Sequence, residues 1–60
     1  MNIEFRDDRG NLLHSREMEA TPKVGEVFDV PVVREGVLRL VVTVVVNERT
    51  VIVEPPDMSN

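Results

Sequence analysis

The chain has no cysteine, no tryptophan and no tyrosine, and only one histidine and one lysine among its 60 residues. Without cysteine it can form no disulfide, no thiolate nucleophile and no cysteine-based zinc site, so the staples common in very small extracellular scaffolds are missing and an intracellular, cytoplasmic setting is expected. No run approaches the ~18 apolar residues of a membrane span, and Met1-Asn2-Ile3-Glu4-Phe5-Arg6 lacks the basic and then apolar segments of an export signal. A single domain is expected at this length. A chain this short buries only about 60% of the surface its unfolded form exposes, so every apolar position counts, and self-association is the remaining common stabiliser.

Charge narrows the partners. Acids outnumber bases 11 to 7, for a net charge of -4, and Arg6, Arg9, Arg16, Lys23, Arg34, Arg39 and Arg49 are spread along the chain. No cluster of them could track phosphates, which disfavours nucleic acid as a partner. Small barrels that bind single strands do so through aromatics stacked in a positive groove. Here the only aromatics are Phe5 and Phe28, both on faces expected to be core.

What the chain does have is valine, thirteen of them, all from Val24 onward. Residues 37–46 (VLRLVVTVVV) form the strongest local signal, because branching at Cβ restricts χ1 in a helix and suits a pleated strand. At period two, Leu38, Leu40, Val42, Val44 and Val46 make a wholly apolar face, expected to be core, and Val37, Arg39, Val41, Thr43 and Val45 make a mixed one. Asn47-Glu48-Arg49 is short enough for a tight hairpin into Thr50-Val51-Ile52-Val53-Glu54. Upstream, residues 27–33 read as a strand that Pro31 confines to a sheet edge or a bulge, and Arg34-Glu35-Gly36 is the turn after it.

Near the start, Ile3 and Phe5 alternate inward against Glu4 and Arg6, and Asp7-Asp8-Arg9-Gly10-Asn11 supplies a hairpin loop. Residues 12–20 favour helix by propensity, but their apolar positions make no helical stripe, whereas Leu12, Met18 and Ala20 share a strand face. Strand is preferred there. Gly25 suggests a bend before the third strand, and residues 55–60, opening on Pro55-Pro56, cannot continue a ladder and form an extended or disordered C-terminal tail.

Five short strands with mostly tight connections predict an all-β domain over residues 1–54, a small antiparallel meander closing into a barrel. The hairpin at Asp8-Arg9-Gly10-Asn11, the segment Pro22-Lys23-Val24-Gly25-Glu26-Val27 and the two closing β-rich strands resemble the five-stranded SH3-like β-barrels of small bacterial and phage proteins. That resemblance implies a fold type. The peptide-binding members of that group present an aromatic groove, which a chain without Trp or Tyr does not reproduce.

Catalytic constellations are missing. His14 lies near Glu17 and Glu19 but has no converging co-ligands, so no metal is expected. His14 and Ser15 are adjacent, hence on opposite faces of a strand, and cannot act as base and nucleophile. Asp7 and Asp8 are explained by turn chemistry, and the scattered Gly10, Gly25 and Gly36 match no phosphate loop. No enzyme activity, cofactor or small-molecule substrate is expected.

The feature above background is the mixed face of the long strand. Either a strongly bent strand is buried on both sides as the barrel closes, or Val37, Arg39, Val41, Thr43 and Val45 form an interface, with the valines as apolar patch and Arg39 as polar anchor. The expected function is accordingly that of a small acidic protein-interaction module, homodimeric or bound to a protein partner through Val37 to Val46 or an edge strand such as Val27 to Val33, for instance a phage or bacterial regulatory factor engaging a basic site. A nucleic-acid-binding barrel using Arg6, Arg9, Arg16 and Arg49 is the alternative.

Overall fold

The computed structural model describes residues 1–32 and 36–56, and in them five strands follow one another: β1 (Asn2–Arg6), β2 (Leu12–Glu17), β3 (Val27–Val32), β4 (Gly36–Asn47) and β5 (Thr50–Glu54). The stretch 12–20 is strand as far as Glu17. Arg34 and Glu35 of the expected turn, and the tail beyond Pro56, lie outside the described residues, while Gly36 does take the positive φ expected of a turn residue, 82°.

Local chemistry accounts for the β1–β2 hairpin. The Asp7 carboxylate accepts the Arg9 and Asn11 backbone N–H groups at 2.9 and 2.8 Å, Gly10 adopts φ 87°, and two backbone bonds, Asp7 N–H to the Asn11 carbonyl and Gly10 N–H to the Asp7 carbonyl, both 3.0 Å, close the loop. At the open end the N-terminal ammonium donates to the Met18 carbonyl (2.9 Å) and to Glu17 (2.7 Å), and Met18 N–H donates back to Met1 (2.8 Å).

The order across the sheet is β2-β1-β5-β4-β3, and β1 runs parallel to β5 through Glu4↔Thr50, Phe5↔Val51 and Arg6↔Ile52. This corrects the expected antiparallel meander: the sheet is mixed. Turn residues identify which strands form hairpins, but residues 18–26 are not a tight turn. They carry the chain from one edge of the sheet to the other, past the β4–β5 turn, where the Thr21 hydroxyl donates to the Glu48 carbonyl at 2.6 Å and Pro22 is buried. The two hairpins are therefore joined side by side through β1 and β5.

The expected closed barrel is also corrected, to a half-barrel. In a flat sheet β2 and β3 would stand about 19 Å apart, four strand spacings. Instead the Arg16 guanidinium of β2 donates to the Asp29 carbonyl of β3 at 3.0 Å, so the sheet curls until its edges approach. The core fills the concave side: Ile3, Phe5, Val30, Leu40, Val42, Val51 and Val53 are buried, with Met18, Phe28 and Leu38 packed against them.

β4 supplies the bend. It pairs with β3 from Gly36 to Val41 and with β5 from Val41 to Asn47, and the register slips between Val42 and Val44, leaving Thr43 as an extra residue. Such a bulge kinks and twists a strand and reverses its inward–outward alternation. Its consequence overturns the expected apolar face: Leu40 and Val42 are buried, but Val44 and Val46 are 50% and 55% exposed. A second slip, between Val45 and Asn47, follows from the turn. Neither Glu48 nor Arg49 has the positive φ that the tightest hairpins require, and the strand accommodates the difference with one more residue, Val46.

Candidate interaction surface

The convex side of β3 and β4 is set by their pairing. Val27↔Val41, Asp29↔Arg39 and Pro31↔Val37 alternate with the inward pairs Phe28↔Leu40 and Val30↔Leu38, so these six residues share the outer face. Val37 is 64% and Val27 54% exposed, whereas Val41 is half-buried. Between the two apolar pairs, Arg39 Nε meets Asp29 Oδ1 at 3.4 Å. Beyond the bulge, Val44 and Ile52 face each other on the same convex side.

Of the five candidate interface residues, the structure gathers three. Val37, Arg39 and Val41 lie in one row on the outer face. Thr43 sits in the bulge, half-buried, its hydroxyl donating to the Ile52 carbonyl at 3.4 Å. Val45 is opposite the buried Val51 and so points to the concave side, near the mouth of the curl. Val44 takes the outward place. The idea that this strand is buried on both sides does not hold for its β3-paired half, because Val37 and Arg39 are exposed. Val27, Asp29 and Pro31 complete the face: they belong to the segment expected as an edge strand, and their common side was legible from period two, whereas their residue-by-residue register against β4 was not.

The β3 edge of the sheet is guarded. Val42 N–H donates to the Glu26 carbonyl (2.9 Å), which fixes the alternation of the β3–β4 ladder and turns the main-chain groups of Val27, Asp29 and Pro31 to the free edge. Pro31 thus costs no ladder bond and denies that edge one donor. On the same edge the Asp29 carbonyl is taken by Arg16, whose guanidinium also lies 5.5 Å from the Phe28 ring and 5.9 Å from that of Phe5. The alternative nucleic-acid reading loses free cations here, since Arg6 is likewise engaged, with Glu4 (2.8 Å) and the Gly10 carbonyl (2.6 Å).

His14 lies in the same seam, its ring 5.7 Å from Phe5 and its Nε2 buried with no hydrogen-bond partner among the described residues. Burial first, and the neighbouring Arg16 charge second, push its pKa below the ordinary 6.5. The unfolded chain then binds the proton more readily than the folded one, so the contribution of His14 to stability is complete above pH 6.5 and falls away as the pH drops through the folded value. Urea unfolding between pH 5 and 7.5 should show stability declining on acidification, by no more than about 1.4 kcal/mol per pH unit, and His14→Gln should flatten that window. A wild type that gains stability on acidification in this range would contradict the assignment.

Among the described residues no three His, Asp or Glu side chains are placed to hold a metal ion, no pocket opens, and no helix is long and apolar enough to cross a membrane. The architecture is that of a small all-β half-barrel with an exposed apolar patch on its convex side. No protein-family model matches the chain, and neither does any curated protein or solved structure.

Proposed function

We propose that this chain is a small protein-interaction module that works by contact through the convex face of β3 and β4. One observation carries the reading: Val27, Val37 and Val41 surround an exposed Asp29–Arg39 pair on a strand face where charged residues are usual. An apolar patch with a central charged anchor has the composition of a contact surface. The small size and net acidity suit an accessory or regulatory factor whose work is done by covering another protein. An SH3-like closure belongs to this reading only as a curled five-stranded outline.

Val27→Glu and Val37→Glu test it. Both positions are exposed, so thermal unfolding should place each variant within about 0.5 kcal/mol of the wild type. Association, whether with itself in sedimentation or with a partner captured by affinity purification and then titrated in purified form, should weaken about tenfold or more, the loss of some 1.5 kcal/mol of apolar burial. Variants that associate as tightly as the wild type would end the proposal.

A further inference from the structure

We infer that the occupant of this face is a second copy of the chain, laid across a two-fold axis that runs along the strands midway between β3 and β4. The inference rests on the interaction reading above and specifies its partner.

The outer face consists of three cross-strand pairs: Val27↔Val41, Asp29↔Arg39 and Pro31↔Val37. An axis along the strands places β3 of one copy over β4 of the other, so each residue meets the counterpart of its own cross-strand neighbour. Val27 then covers the partner's Val41, Pro31 covers the partner's Val37, and Asp29 and Arg39 face the partner's Arg39 and the partner's Asp29. Apolar groups meet apolar groups and each charge meets its opposite, the self-complementarity that an isologous contact requires. The other in-plane two-fold, across the strands, would stack Asp29 on the partner's Asp29 and arginine on arginine, which repel. The charge pattern therefore selects one arrangement of two copies.

It also disfavours a foreign partner of single-signed charge, which would gain at one member of the pair and lose at the other. The pair is loose within the chain: its closest atoms are 3.4 Å apart, and the Arg39 and Asp29 side chains are 69% and 59% exposed. A guanidinium has five donors, so Arg39 can hold Asp29 through Nε and still offer N–H groups to a carboxylate across the interface. Size sets the strength. A standard interface of about 800 Å² per partner would take nearly a fifth of the 4389 Å² that this chain exposes, and six side chains on a convex surface cover less. The dimer is thus of the weak, concentration-dependent class.

The test is a charge exchange read by sedimentation equilibrium from micromolar to millimolar protein. The wild type should rise from 6.8 kDa toward twice that mass with concentration. Asp29→Arg and Arg39→Asp should each weaken dimerisation at least tenfold, and an equimolar mixture of the two should dimerise again, because opposite charges then meet across the interface although neither chain regains its internal pair. Asp29→Asn and Arg39→Gln, which add no like charge, should fall between, and they serve if a charge-reversed chain fails to fold. A mixture that stays monomeric while the wild type dimerises would overturn the arrangement. A wild type that stays monomeric throughout would overturn self-association; the interaction reading would still stand if Val37→Glu abolished binding to a different purified protein, and would fall with it if no association of any kind responded.

Discussion

Phe5→Ala should leave the chain largely unfolded at 25 °C. The Phe5 side chain of β1 is wholly buried and its ring meets two other strands: Phe28 of β3 edge-on at 5.0 Å, and His14 and Arg16 of β2 at 5.7 and 5.9 Å. Truncating a buried phenylalanine costs about 3–5 kcal/mol. A 60-residue domain has roughly 3–9 kcal/mol in total at 0.05–0.15 kcal/mol per residue, and small domains lie toward the lower end because so much of their surface stays wet. Loss and total are comparable, so the variant should show collapsed amide dispersion in NMR and no cooperative urea transition. A cooperative transition within about 1 kcal/mol of the wild type would show that Phe5 is not the centre of the core.

The second large effect belongs to Arg16→Ala. This side chain holds the curl: it donates to the Asp29 carbonyl and lies over Phe5 and Phe28, so one residue of β2 fastens the opposite edge of the sheet. A charged hydrogen bond and two partly exposed cation–π contacts together contribute about 1–2 kcal/mol. In a domain of this size that lowers Tm by roughly 5–15 °C. Arg16→Lys should recover only part of the loss, because an ammonium cannot lie flat over two rings and still donate to the carbonyl. Removing Arg16 also removes one of the two influences that depress the His14 pKa, so the His14 titration followed by NMR should move upward in Arg16→Ala while burial still keeps it low. A melting point unchanged by Arg16→Ala would mean that the curl is held by β4 alone.

How much of this was legible in the chain depended on whether the cause was local. The alternation of Ile3 and Phe5 with Glu4 and Arg6, the Asp7 to Asn11 loop, the edge position of Pro31 and the span of β5 all follow from residues within one or two positions, and all appear in the structure. The parallel pairing of β1 with β5 has no local signal, since nothing near Glu4 or Thr50 distinguishes a parallel from an antiparallel neighbour. The bulge at Thr43 was equally silent. It lies within an uninterrupted β-branched run, without the glycine or proline that usually marks such a site, and arises because β4 must serve two partners on a curled sheet. That one extra residue is why the candidate interface divided, Val37, Arg39 and Val41 staying on the convex side and Val45 turning away.

The parallel junction has a consequence for how the chain comes together. β5, last in sequence, lies in the middle of the sheet and, among the described residues, is the strand whose ladders join the two halves, pairing with β4 on one side and with β1 on the other through three residue pairs. An isolated two-stranded hairpin is marginal in water, so neither β1 with β2 nor β3 with β4 persists by itself. Joining the β1–β2 hairpin to β3, β4 and β5 therefore requires contacts nearly the full length of the chain apart, the kind that slow a small protein most. β5 acts as a keystone, and the inner faces of β4 and β1 are closed over one core only when it is set between them.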